Sequence, residues 1–256
     1  PPRHRPLITE CIRTSCMAKR WYQEHQRDPW RRQARNSGYR ARSAFKLKQI
    51  QERHSIIRLG DSVLDIGCHP GGWTQVALEE VGELGTVVGI DLRPTDPIDG
   101  ALLLTGDVRE EGVIASLSSE NSDEGYNSVV SDISPSLTGR YDNDQEISLE
   151  ISAMALDVAA KLLKTGGSFV TKAFQGTGIE LLIEACKKRF SFVRRFSPTA
   201  SRNASSEIYV VCKNKKPVTE RMDSAIEHIQ RGLIDAGVLV GGEEEEDEGP
   251  VVGFRR

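Results

Sequence analysis

Four acidic residues, Asp65, Asp91, Asp107 and Asp132, each close a short apolar run. The first is followed by a glycine-rich turn, Gly67-Cys68-His69-Pro70-Gly71-Gly72-Trp73. Residues of these types suit a nucleotide-like ligand. Glycine admits positive φ and lets the backbone approach closely, and a helix starting after the turn offers free N–H groups. Asp91, 26 residues beyond Asp65, stands where open α/β sheets place an acid that accepts from ribose hydroxyls. Any one of the four carboxylates could instead cap a helix. Four in succession at the carboxyl ends of strands, the edge where such sheets bind ligands, point to one site. The spacing is not GxGxxG, which argues against a nicotinamide-dependent oxidoreductase. Cys68-His69 raises the thought of a metal or nucleophile pair, but adjacent residues in a turn point apart. Five cysteines without a CxxC give neither a disulfide framework nor a zinc site, so no metal and a reducing compartment are expected.

These residues need a particular set of elements to hold them. Apolar runs ending at Asp65, Asp91, Asp107 and Asp132 read as four strands, and 168–174 as a fifth. Helices are expected over 74–81, 108–117, 145–163 (closed by Gly166-Gly167), 178–190 and 217–236, alternating with the strands. Ser43 is the expected N-cap of a further short helix carrying Phe45, Leu47 and Ile50. Strand-like runs over 190–196 and 207–212 are separated by only ten residues. That is too short for a helical crossover, so the two should pair antiparallel. The expected fold is α/β: a Rossmann-like sheet, mostly parallel with its last strand antiparallel, and helices on both faces.

Charge is unevenly placed. The formal net charge is -3, yet residues 1–48 hold 13 Lys and Arg against Glu10, Glu24 and Asp28. Basic side chains interleaved with Trp21 and Trp30 (Arg20, Arg27, Arg31, Arg32, Arg35), then Arg40, Arg42, Lys46 and Lys48, suit a grip on a polyanion such as RNA. The two tryptophans serve equally to pin a helix to the core, which leaves the arginines as the better RNA candidates. Glu243 to Glu248 is an unbroken acidic run and reads as a solvated tail. No apolar run approaches the roughly 20 residues a membrane span needs.

Five segments together resemble one family. They are Arg42-Ser-Ala-Phe-Lys46-Leu, Asp65-Ile-Gly-Cys-His-Pro-Gly-Gly-Trp73, Ser131-Asp132-Ile-Ser-Pro135, Val170-Thr-Lys172-Ala-Phe-Gln-Gly176 and Ser206-Glu207-Ile-Tyr-Val. From about Gly38 to Lys216 the chain resembles the FtsJ/RlmE family of S-adenosylmethionine-dependent RNA ribose 2′-O-methyltransferases. The resemblance implies a catalytic tetrad of Lys46, Asp132, Lys172 and Glu207. It also implies a cofactor pocket in which Gly67, Gly71 and Trp73 wall the methionine moiety beside Asp65. Asp91 would take the ribose, Asp107 the adenine amine, and Asp132 would lie near the reacting end. The implied substrate is structured RNA, with a uridine of large-subunit rRNA first, a tRNA anticodon loop as the alternative, and a non-catalytic RNA-binding assembly factor as the rival of another class. Base amino methylation would want Asn/Asp-Pro-Pro-aromatic after the fourth strand, which Ser134-Pro135-Ser136 is not. Two departures stand out: Ile133-Ser134-Pro135-Ser136 replaces the usual Met-Ala-Pro-Asn, removing an amide, and Cys68-His69 replaces a small pair.

The chemistry agrees with that tetrad. Methyl transfer from a sulfonium is an in-line displacement, so placing the 2′-hydroxyl against the methyl carbon is the largest demand. A lysine can take the hydroxyl proton only if its own affinity for protons is drawn down. Burial and a second ammonium would do that, while carboxylates oppose it and fix the orientation. Lys172 is the candidate base, Lys46 the second cation, and Asp132 and Glu207 the orienting acids; alternatively Lys172 stays charged and only positions the hydroxyl. The organisation expected is 1–16 a leader or misassigned stretch before a start at Met17, 17–37 a basic helix, 38–216 the methyltransferase domain, 217–240 a C-terminal helix and 241–256 a disordered acidic tail. A cytoplasmic monomer is expected. The end of a mitochondrial presequence is the alternative for 1–16, opposed by its early prolines and its lack of an apolar helical face.

Overall fold

The computed structural model describes residues 29–121, 125–134, 141–201, 206–218 and 223–238, with side chains from Asp144 onward in the third of these stretches. The expected leader, Arg20, Trp21, Arg27, Pro135, Ser136 and the acidic tail lie outside the described residues.

Runs such as Val63-Leu64, Val87-Val88 and Val129-Val130 are buried on both sides of the strand, the signature of a sheet covered by helices on each face. In chain order the elements are α1 (Pro29–Asn36), α2 (Ala44–His54), β1 (Ser62–Ile66), α3 (Gly72–Val81), β2 (Thr86–Asp91), β3 (Ala101–Thr105), α4 (Glu111–Ser119), β4 (Tyr126–Ser131), α5 (Tyr141–Leu162), β5 (Leu163–Phe174), α6 (Ile179–Arg189), β6 (Phe190–Phe196), β7 (Glu207–Lys215) and α7 (Ala225–Asp235). The seven strands run in the order β3-β2-β1-β4-β5-β7-β6. β1 to β5 are parallel; β7 enters antiparallel between β5 and β6. The sheet is thus the one expected, reversed strand included.

Alternation along each strand sorts side chains into two cores. Leu64, Ile66, Ile90, Val129 and Phe169 pack with α5, α6 and α7. Val63, Val87, Val130, Val170 and Tyr209 pack with α2 and α3. Leu47 and Ile50 of α2 are fully buried, each anchoring that helix by about 1.5–3 kcal/mol. Trp30 of α1 rests on Phe45, with ring centroids 5.3 Å apart, while Arg31, Arg32 and Arg35 are exposed.

Three local expectations fail for identifiable reasons. Ser43 stands before α2 but has helical φ and ψ and no side-chain cap; its carbonyl instead accepts from Trp73 Nε1 at 2.8 Å. Gly166 and Gly167 do not close α5. They lie in the irregular start of β5, where register jumps from Tyr126–Leu163 to Ser128–Ser168, and a Cβ on Gly167 would sit 2.9 Å from the Lys164 carbonyl. The C-terminal helix begins only at Ala225, where Ser224 and Glu227 form a reciprocal capping box that the Ser-x-x-Glu spacing encodes.

Candidate active site

Asp132 follows β4, Lys172 lies in β5, Glu207 opens β7, and Lys46 comes from the first turns of α2. They converge on the sheet face beneath α2 and α3. Lys46 Nζ is 2.6 Å from Glu207 Oε1, which also accepts from Ser201 Oγ at 2.7 Å. Lys172 Nζ donates to the Asp132 carbonyl at 2.9 Å and lies 3.3 Å from Asp132 Oδ1. A lysine nitrogen carries three donor directions when charged, or two and a lone pair when neutral. The two Asp132 oxygens account for two, so one position of Lys172 Nζ remains for an incoming hydroxyl.

At the centre of the four stands Tyr209, a residue the motifs did not single out. It donates its hydroxyl to Asp132 Oδ1 at 2.7 Å, and Lys46 Nζ lies 5.8 Å from its ring centroid. Burial, then the Asp132 and Glu207 charges, push the phenol well above its ordinary range, so it remains a donor. Burial alone would raise Asp132; the Lys172 and Lys46 charges and the Tyr209 hydrogen bond outweigh it and hold the carboxyl below its usual value. The signal for Tyr209 was its place two residues beyond Glu207, on the same strand face. Removing that hydroxyl leaves a buried carboxylate one partner short, worth about 1.5–3 kcal/mol. Tyr209→Phe is therefore expected to lower kcat roughly tenfold or more while donor binding changes little; a calorimetric titration beside a turnover assay checks the split.

Asp65, the first of the acids, is fully buried on the same face. Its Oδ2 accepts from Thr74 Oγ1 at 2.7 Å, whereas Oδ1 has no partner. Burial pushes its carboxyl up to about 7, with the Asp132 and Asp91 charges adding and the Thr74 hydrogen bond opposing. Over the carboxyl edge of the sheet opens a cavity of about 360 Å³, walled by Ile66, Gly67, Asp91, Asp107, Ile133 and Ile226, among others. It reaches Ile133, the residue after Asp132, so cavity and tetrad adjoin. Gly67, at φ +77, lies so close beneath Ile133 that a Cβ there would meet Ile133 Cγ1 at 2.2 Å.

Asp91 accepts from the backbone N–H of His69 at 3.1 Å and of Arg93 at 2.9 Å, one on each oxygen, and each oxygen keeps a lone pair for a ligand. Asp107 lines the same cavity, but Arg109 grips both its oxygens through its backbone N–H and guanidinium. Trp73 does not reach the cavity lining. It is buried against Tyr209, 5.6 Å between ring centroids, and ties α3 to the start of α2. Gly71, at φ +113, instead meets Ile98 and Arg40. The Arg40 guanidinium bonds the carbonyls of Pro70, Asp96 and Pro97, stapling the glycine loop to the β2–β3 connection. Contrary to the expectation that they point apart, Cys68 Sγ and His69 Nδ1 both reach Thr95 Oγ1, at 3.7 and 3.5 Å, and His69 Nδ1 also lies 3.2 Å from the Pro94 carbonyl. Burial pushes the Cys68 thiol up to about 12, and no cluster able to hold a metal occurs among the described residues.

A Rossmann-like sheet with its seventh strand reversed, and an adenosine-sized cavity beside a lysine–carboxylate cluster, defines an S-adenosylmethionine-dependent methyltransferase. Residues 39–215 match the family described as FtsJ-like methyltransferase. A Halorubrum lacusprofundi protein named ribosomal RNA large subunit methyltransferase E is 43% identical over 207 residues, covering 78% of this chain and 77% of its own. A Neisseria gonorrhoeae protein of the same name is 40% identical over 199 residues, covering 78% and 97%. A crystal structure from Plasmodium falciparum, provisionally described as a ribosomal RNA methyltransferase, superposes with a TM-score of 0.63 at 27% identity, covering 69% of this chain and 98% of its own. The chain belongs to the FtsJ-like methyltransferases.

The residues present fit S-adenosylmethionine. Asp91, on the cavity wall, has free acceptor capacity for a diol, and that cavity is largely apolar, as a purine requires. Asp65, one residue before the cavity-lining Ile66, is buried with one oxygen unpartnered. Asp91→Ala is expected to weaken S-adenosylmethionine binding by an order of magnitude or more, since two hydrogen bonds to a charged acceptor are worth about 1.5–3 kcal/mol each. Calorimetry that returned the parent affinity would move the ribose elsewhere.

Proposed function

We propose that this protein methylates a ribose 2′-hydroxyl of large-subunit rRNA, with a uridine as the acceptor. The observation that carries it is the convergence of Lys46, Asp132, Lys172 and Glu207 around Tyr209, with Asp132 next in the chain to the cavity-lining Ile133, reinforced by the names of the Halorubrum and Neisseria relatives. When bound, S-adenosylmethionine supplies an electrophilic methyl carbon. Lys172 receives the 2′-hydroxyl at its remaining position and accepts its proton as the C–O bond forms, with the methyl–sulfur bond of the donor breaking and the thioether leaving. Asp132, held by Tyr209, keeps the Lys172 nitrogen aimed. Lys46, paired with Glu207, adds positive charge behind Tyr209 and fixes α2 over the site. Asp91, on the cavity wall, and Asp65, as the family resemblance implies, would hold the donor, which supplies the fixed placement on which such displacements depend. The buried, unpaired Cys68, Cys186 and Cys212 fit a reducing compartment such as the cytoplasm. No helix of the described residues is long and apolar enough to cross a membrane.

Tritiated S-adenosylmethionine offered with purified large-subunit rRNA, with assembled subunits and with tRNA tests the proposal. Label in rRNA or subunits, recovered after nuclease digestion on an alkali-resistant dinucleotide, is the expected result. Label on tRNA alone, or on a base, would overturn it.

A further inference from the structure

β6 is an open edge of the sheet, and its two neighbouring arginines go to opposite faces. Arg195 pairs with Glu180 of α6. Arg194 shares the α2 side with Phe192 and Phe196, which alternate with it along the strand. The exposed Arg194 guanidinium lies 5.1 Å from the Phe192 ring centroid, and its Nη1 donates only to the Val193 carbonyl, at 3.0 Å. At the end of α2 the His54 ring meets Phe192 at 6.3 Å and Phe196 at 5.3 Å; all three rings are half-buried. Positive charge gathers around them. Lys213, the register partner of Phe192, donates to the His54 carbonyl at 2.8 Å, and Arg53 is exposed beside it. Among the described residues no carboxylate forms an ion pair with Arg53, Arg194 or Lys213. Glu52 follows Lys48 by one helical turn, on the row whose Lys48 pairs with Glu79 of α3.

This strip starts at the active site. Phe196 is the register partner of Tyr209, and Arg53 lies two turns along α2 from Lys46 on the same row. Alternate strand residues are about 6.8 Å apart, so Phe196 to Phe192 spans some 14 Å, enough for more than one stacked base. Half-buried rings among unpaired cations are the chemistry that holds unpaired RNA, by base stacking and phosphate binding. Charges on an edge strand also deter strand addition, but Arg195 serves that end equally well, which supplies a built-in comparison.

With RNA as the substrate, as proposed above, we infer that Phe196, Arg194 and Phe192, rimmed by His54 and Arg53, bind the single-stranded segment adjoining the target nucleotide. The test uses full-length protein carrying Arg194→Glu, Arg195→Glu or Phe192→Ala. Affinity for a short fluorescein-labelled single-stranded RNA, and for its duplex, is read by anisotropy across a salt series. Arg194→Glu is expected to weaken single-strand binding about tenfold and to flatten the dependence of log K on log salt by about 0.7 for each phosphate no longer neutralised. Arg195→Glu should stay within about twofold of the parent, as surface charges away from the bound strand do. Phe192→Ala should lose roughly tenfold, the worth of one stacked base, raising KM for rRNA with kcat held. Unchanged S-adenosylmethionine affinity and melting temperature exclude misfolding as the cause. Parent-like affinity and salt slope in Arg194→Glu, equal losses in both arginine variants, or duplex held as tightly as single strand would each overturn the inference. Binding is read without methylation, so an inactive parent protein would count against the proposed function and not against this surface.

Discussion

Lys172→Ala is expected to bind S-adenosylmethionine like the parent protein and to transfer almost no methyl. Loss of a positioned base costs about 10²–10⁴ in rate, and misplacement of the hydroxyl adds to that. Donor affinity should hold because Lys172 contacts Asp132 and no residue walling the cavity except through it. The Lys172 carbonyl, which accepts from Ser152 Oγ at 2.7 Å, is untouched by the substitution, so the strand keeps its backbone partner. Single-turnover transfer to rRNA beside a donor titration reads both quantities. Turnover within a few-fold of the parent would remove Lys172 from the reaction. Loss of donor binding in equal measure would make it a structural lysine.

The second large effect concerns Asp65, and it runs in opposite directions for stability and for binding. A carboxyl held at about 7 in the folded protein and near 3.9 in the unfolded chain binds its proton more tightly when folded. Its stabilising contribution is therefore complete below about pH 4 and is lost as pH rises through about 7, on the order of 4 kcal/mol in all. Asp65→Asn removes that dependence. In the absence of ligand the variant should be more stable than the parent at pH 8, by about 1–3 kcal/mol after allowing for an imperfectly paired buried amide. Its S-adenosylmethionine affinity should fall tenfold or more, since the family resemblance places Asp65 beside the donor's methionine moiety and Oδ1 has no protein partner. Melting curves of both proteins from pH 4 to pH 8, compared pairwise, check the first half. A variant whose melting point follows pH as the parent's does would show that Asp65 is not the group responsible.

Much of this molecule is legible in residue order because its signals are local. Each of the first four sheet strands carries its own apolar run and its own acid at or near the end, and ten residues between the last two runs leave no room for a crossover. Lys46, Asp132, Lys172 and Glu207 are legible as a set through the motifs around them, and the structure brings their side chains together. What escapes depends on pairings between distant segments. Ser43 looks like a cap, yet the Trp73 indole, 30 residues on, claims its carbonyl. Asp107 looks free for a base, yet Arg109 encloses it. Trp73 looks like a wall of the cofactor pocket because it follows the glycine turn; the helix that begins at Gly72 carries it inward against Tyr209 instead. Tyr209 itself needs only the two-residue period of a strand. Ile226 gives no sign at all, since nothing in the sequence says which helix will lie beside α5.

α7 lies past residue 215, where the family match ends, yet Asp157 of α5 caps its first turn through the N–H groups of Ala225 and Ile226. Ile226 thereby becomes one side of the cavity at the sheet's carboxyl edge, the proposed donor chamber. A chain shortened to the family boundary would keep every motif and still leave that chamber open to water on one flank. Measured on such a fragment, donor affinity would describe a wetter and shallower vessel than the one the whole protein builds.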